Sequence, residues 1–283
     1  MRNRTFVLVV CIASLLLANL SVVRALIDLS RQDDTASHLV LIPFVSLALI
    51  YARRDVIFAT VRTAWSAGIV MILSGVSLSV WGRLSDRNSL SLLASGLVVS
   101  WIGAFLLCYG FKAFRAALFP LVFLAFTIPI PAAVLAAATS FLKSGSTEAV
   151  AVLFTLTGMP YHREGFVFAL PHFVIEVADE CSGIRSSLAL LLTALLAGYM
   201  LLRTWWATAL LLAAILPFAI LKNGIRIVAL SLLAERVDPG YLTGQLHHEG
   251  GIVFFLLTLA ILAPLFALLQ KFDAKPTSRV SPA

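Results

Sequence analysis

Eight apolar runs of roughly bilayer-crossing length leave this chain little choice of solvent. A helix rises about 1.5 Å per residue, so about 20 apolar residues cross a hydrocarbon core of roughly 30 Å. The runs fall at 5–23, 37–52, 64–82, 89–110, 116–134, 183–202, 205–222 and 250–270. Of the 283 residues, 60% are hydrophobic and only 12% charged, against roughly 25% charged in soluble domains. One core cannot hide that much apolar surface, so the bilayer must take it up. Two further segments, 135–157 and 225–236, are ambiguous and are placed on or partly in the outer interface. The expected fold is an all-α membrane protein of about eight transmembrane helices.

The net charge of +7 does not point to nucleic acid. Basic residues are scattered through short loops instead of forming a stripe, as multi-span proteins distribute them. Arg2 and Arg4 followed by an apolar stretch mimic a signal peptide, but the stretch is long and more spans follow, so a retained first span is expected. The basic amino terminus and the Arg53-Arg54 pair favour a cytoplasmic start, which puts both termini inside. The polar residues after Phe272 read as a disordered cytoplasmic tail over 273–283, leaving one polytopic domain over 1–272. Cys11 and Cys108 lie inside apolar runs, where cysteine packs as a small hydrophobe, and no disulfide framework is expected.

The third cysteine is different. Cys181 lies in Glu180-Cys181-Ser182-Gly183-Ile184-Arg185, at the lip of the sixth span. An ordinary thiol pKa near 8.5 leaves about 3% thiolate at pH 7. A helix beginning at Ser182-Gly183 would favour the anion through its dipole, while Asp179 and Glu180 oppose it, so a cationic partner is needed. Asn223-Gly224-Ile225-Arg226 supplies one. Arginine at bilayer depth is a functional candidate by default, and its fork of donors can hold a developing oxyanion. Asn223-Gly224 reads as a break between helices, with Asn223 capping a short helix 225–236. Arg185, one turn from Cys181, is a weaker candidate and equally reads as an anchor. His247 and His248 compete for one acid/base role, and Gly250-Gly251 would let that loop approach another backbone closely. A metal held by these histidines with Glu249 is disfavoured, because neighbouring positions on a helix do not face each other. No metal and no cofactor are expected. Under the assigned topology Cys181, Arg226 and His247 all reach the outer face.

Between the fifth and sixth spans, 158–181 is the longest non-spanning segment. Phe166–Leu170 and Phe173–Val177, around Pro171-His172, read as two short strands and a turn. This extracytoplasmic hairpin would feed directly into Cys181 as a lid or substrate-binding edge. His162 and His172 belong to it and face solvent or substrate.

From about residue 90 to 270, and most clearly after Gly158, the chain resembles the exosortase/archaeosortase family. Gly158-Met159-Pro160, Glu164-Gly165 and Leu170-Pro171 match the family's hairpin, and Glu180-Cys181-Ser182-Gly183 its cysteine motif. Asn223 and Arg226 match N-x-x-R, and His247 with Gly251 matches the histidine four residues before a glycine that opens the last span. The resemblance implies a protein-sorting transpeptidase of the bacterial inner membrane, with its site facing the exterior. It implies Cys181 as nucleophile, Arg226 as electrostatic partner and His247 as acid/base, with His248 the fallback. It also implies membrane-anchored substrate proteins with a carboxy-terminal signal: a Pro-Glu-Pro-like motif, a hydrophobic helix and a basic cluster. The last implications are contact with membrane lipids and a link to exopolysaccharide export.

Two other readings stay open on the residues alone. One is a thiol acyltransferase acting on lipid or glycan. The other is a transporter or scaffold subunit of polysaccharide export, for which the prolines at 120, 129 and 131 are the nearest hint.

Overall fold

The computed structural model describes residues 2–85, 89–238, 240 and 245–273. Within these, the side chains of Arg2, Ser89, Glu180, Cys181 and residues 245–253 lie outside the description. The expected tail over 273–283 lies outside it too, apart from Asp273. The chain divides into two compact units, Met1–Leu135 and Ala136–Ala283.

The first unit carries α1 (Arg2–Ala18), α2 (Leu20–Gln32), α3 (Leu41–Ala52), α4 (Arg54–Ile57), α5 (Trp65–Leu84), α6 (Ser89–Ala116) and α7 (Leu118–Phe123). Its spine is the antiparallel pair α5 and α6. Gly68, Gly75 and Gly82 recur every seven residues on α5. A Cβ at Gly75 would lie 2.6 Å from the Gly96 carbonyl oxygen, and one at Gly103 would lie 2.8 Å from the Ile72 nitrogen. Small residues let membrane helices pack backbone to backbone, which replaces the missing hydrophobic drive between helices in lipid. Around this pair the rings of Phe58, Phe105 and Tyr109 pack at tilted angles, with Ile57, Cys108 and Leu121 buried beside them. Thr5 and Tyr109 share a 3.0 Å hydroxyl hydrogen bond that ties α1 to α6.

Two expected spans are corrected. The run 5–23 is not one helix: α1 ends at Ala18 and α2 restarts at Leu20 with a bend of 76°. Asn19 turns its side chain back, Nδ2 donating to the Leu15 carbonyl at 2.9 Å, the local bonding by which asparagine competes with helix continuation. The run 116–134 is also broken. α7 and the 3-10 turn after it end at Thr127, and the helix resumes only at Ala132. Ten helical residues rise about 15 Å, half a bilayer core. Pro129 and Pro131 explain the break, since each lacks an N–H and fixes φ. The freed carbonyls are taken up by serines: Ser91 Oγ donates to Pro129 O at 2.8 Å, and Ser46 Oγ to Pro120 O at 2.7 Å. Such hydroxyls satisfy broken backbone in lipid.

The second unit carries α8 (Ala132–Thr157, begun in the first unit), strands β1 (His162–Glu164), β2 (Val167–Ala169) and β3 (Val174–Glu176), then α9 (Ile184–Leu201), α10 (Trp205–Arg236) and α11 (Gln245–Asp273). The ambiguous segment 135–157 is therefore helical throughout. α9, α10 and α11 alternate in direction and pack on one another, around Leu190, Leu211, Ile215 and Leu262. The hairpin forms as expected from β2 and β3, with Phe168 opposite Ile175. β1 adds a third antiparallel strand, Arg163 facing Phe168 across the ladder. The sequence disguised it, because His162-Arg163-Glu164 has none of the apolar character of a strand. Arg163 is held at its outer edge by a forked pair with Glu148 of α8, at 2.6 and 3.1 Å.

Among the described residues, six helices are long and apolar enough to cross a membrane, or up to eight if each bent pair forms one span. The protein is a mostly helical, multi-pass membrane protein with one small antiparallel sheet among the described residues.

Candidate active site at one end of the second unit

The sheet fixes this end of the second unit. Phe168, Leu170 and Val177 are buried against Val150 and Phe154 of α8 and Val228 of α10. The chain leaving β3 is therefore delivered onto the carboxy-terminal halves of those two helices. It makes a 3-10 turn, Asp179–Ser182, then reverses at Gly183 and enters α9. Lys143 of α8 pins the turn through a 3.0 Å ion pair with Asp179, and its ammonium also lies 4.6 Å from the Phe166 ring centre.

Cys181 belongs to this turn. The helix cap is Gly183, with φ 78° and ψ 13°, so the thiol-bearing residue precedes the cap by two positions. The Gly183 carbonyl accepts three bonds, from Ser187 N at 3.0 Å, Ser187 Oγ at 2.8 Å and Ser186 Oγ at 3.0 Å. Ser182 is buried, and its Oγ has no hydrogen-bond partner among the described residues.

Against this turn lies α10, and here the sequence reading is corrected. Asn223-Gly224 does not break the helix, and Asn223 caps nothing: α10 runs unbroken for 32 residues through both. Their work is lateral. Asn223 is 1% exposed, and its Nδ2 donates to Ser146 Oγ of α8 at 3.0 Å. A Cβ at Gly224 would lie 2.8 Å from that of Ala149, so the glycine lets α8 come close. On its other side Asn223 meets the cysteine turn. A Cβ on Gly183 would sit 3.2 Å from both Cγ and Oδ1 of Asn223. Two motifs far apart in sequence are thus in contact.

Arg226 is half-buried, one turn beyond Lys222 on the same side of α10. It is part of the helix and does not lie past its end, as the sequence reading had it. Arg185 is exposed in the first turn of α9. His247 and His248 occupy the first turn of α11, two turns before Phe254, which lines a groove with Ile225 of α10. The structure therefore brings the cysteine turn and the N-x-x-R motif together, and α11 packs on the same helix from Phe254 onward. The side chains of Cys181, His247 and His248 lie outside the description. In the turn between β2 and β3, His172 is exposed, as expected, and its Nδ1 also bonds Glu235 Oε1 of α10.

Sequence reasoning missed Lys222, Ser146 and Ser186. Lys222 is 9% exposed and donates to Ser186 Oγ. A lysine interrupting the apolar run of α10 was the signal available, and it had been assigned merely to the end of a span.

The model of the transmembrane exosortase family matches residues 30–264 of the 283. No curated protein and no solved structure matches the chain.

Proposed function

The chain belongs to the transmembrane exosortase family, and from that premise we propose that it is a cysteine transpeptidase working at the sheet-bearing end of the second unit. Membership implies the processing of sorting signals on substrate proteins. The finer reading is a membrane-anchored substrate with a Pro-Glu-Pro-like motif, a transmembrane helix and a basic cluster, cut at the exterior face of a bacterial inner membrane. The protein is then transferred to an acceptor, in a process linked to exopolysaccharide export.

The observation that carries this reading is the contact of Gly183 with Asn223, which joins the Cys181 turn to the Arg226 helix. The Cys181 thiolate attacks the scissile carbonyl carbon. Arg226 stabilises the oxyanion that forms, and His247 protonates the departing amine, with His248 as its alternate. A thioester remains on Cys181. An acceptor amine, or water, attacks the thioester and returns the thiolate.

The test is co-expression with a tagged protein ending in a motif, helix and basic cluster, followed by mass spectrometry of the new carboxy terminus. Cleavage that requires this protein supports the reading, and the terminal mass separates transfer from hydrolysis. An intact polypeptide with a modified lipid or glycan would sink it in favour of an acyltransferase.

A glycine substitution probes the same junction without deleting a chemical group. At φ 78° an alanine costs roughly 1–2 kcal/mol, and its Cβ would press on Asn223. Gly183→Ala should lower the single-turnover rate about 100-fold, the scale of a misplaced reacting group, while the detergent-solubilised protein still elutes as a folded species. An unchanged rate would show that the turn tolerates displacement.

A further inference from the structure

We propose that Lys222 is a positioning residue for the reactive cysteine: its charge favours the Cys181 thiolate, and its bond to Ser186 fixes the turn that carries it. This rests on the assignment of Cys181 as nucleophile.

Lys222 is 9% exposed inside a helix of membrane-spanning length. Its ammonium donates to Ser186 Oγ, and no carboxylate among the described residues pairs with it. A serine hydroxyl offsets part of the desolvation of an ammonium but none of its charge. Arg226, at i+4, adds a second cation on the same face, an arrangement that repels. Ionisable groups inside membrane helices persist where they have a partner or a task. The path from Lys222 leads to one place. Ser186 donates onward to the Gly183 carbonyl, two residues after Cys181, and Asn223 beside Lys222 touches Gly183. The anion that would balance Lys222 is the thiolate of that turn.

Other charged groups belong to the turn and to the helices of this unit. Asp179 is already balanced by Lys143 of α8. Glu180 adjoins the cysteine, Arg185 is on α9 and Arg226 on α10. His247, His248 and Glu249 begin α11. The test must therefore isolate Lys222 from these.

The experiment is iodoacetamide alkylation of Cys181 as a function of pH, in the full chain with Cys11→Ala and Cys108→Ala, in nanodiscs. Lys222→Met should raise the alkylation midpoint by about one pH unit, about tenfold less thiolate below it. Lys222→Arg, which keeps the charge, should restore it. Ser186→Ala should leave the midpoint in place and lower only the rate of signal processing. An unmoved midpoint in Lys222→Met, with Ser186→Ala and Lys222→Arg still folded, overturns the proposal. Alkylation needs no substrate, so the two readings fail separately. A shifted midpoint in a chain that processes no signal condemns the proposed function alone. Processing with an unshifted midpoint condemns the role of Lys222 alone.

Discussion

Cys181→Ala should abolish signal processing, by at least about 10⁴-fold in single turnover, the order seen when a protease loses its nucleophile. The same variant should insert and fold as the parent does. The two halves of this expectation have separate physical origins. Activity fails because the hydroxyls described at the turn, those of Ser182, Ser186 and Ser187, are not comparable nucleophiles at neutral pH. Folding survives because nothing described about the turn depends on the thiol. Its shape is set by the positive φ of Gly183, by the Lys143–Asp179 pair and by the serines that bond the Gly183 carbonyl. The measurement is the ratio of cut to uncut substrate, with detergent size-exclusion of the enzyme as the control for folding. Processing retained at even a hundredth of the parental rate would remove Cys181 from the nucleophile's role.

The second large effect lies in the first unit and concerns stability alone. Gly110→Ala should unfold that unit or block its assembly. Gly110 has φ 78° and ψ −179° and interrupts α6, a conformation open essentially to glycine and costing other residues about 1–3 kcal/mol. Space forbids the change as well, since a Cβ there would lie 1.6 Å from the Arg62 carbonyl oxygen. That atom is backbone and cannot swing away. The combined cost approaches the whole stability of a domain, about 5–15 kcal/mol. Gly165→Ala is the matched control. It too has positive φ, at 61°, but nothing lies within 4 Å of its added Cβ, so only the backbone term remains. Thermal melting of the two variants in detergent should separate them by well over 10 °C. Equal melting would mean that Arg62 and Gly110 do not touch.

Membrane character, helical class and the β2–β3 hairpin were legible because each has a periodic or compositional signature. Several failures share one cause: a residue's local preference was outweighed by what it does for a neighbouring helix. Asn223 and Gly224 are a cap and a breaker by propensity, yet in α10 one hydrogen-bonds Ser146 and the other admits Ala149. Segment 135–157 was ambiguous as a span, and Ser146 and Thr147, which interrupt it, are both fully buried in the packing of α8. The break at Pro129 and Pro131 was visible as chemistry but not as an interruption, since hydropathy does not register a missing N–H. At the site, the cysteine and N-x-x-R motifs were legible as motifs. Lys222 and its partner Ser186 were not, because a lysine at the end of an apolar run ordinarily marks an interface.

The length of α10 has a consequence for where this chemistry can work. Its 32 residues rise about 48 Å, well beyond a hydrocarbon core of roughly 30 Å. The helix opens with Trp205, 82% exposed, and Trp206, 41% exposed, residues that favour the headgroup level. Counted from that anchor, Lys222 rises about 26 Å and Arg226 about 32 Å, so the two cations straddle the far edge of the core. Bilayer thickness then acts as a gauge on the site. Lipids with longer acyl chains would carry hydrocarbon past the level of both cations, and shorter ones would bring headgroups and water down to it. Processing should peak at one acyl length in reconstituted membranes, which would make host lipid composition a determinant of activity.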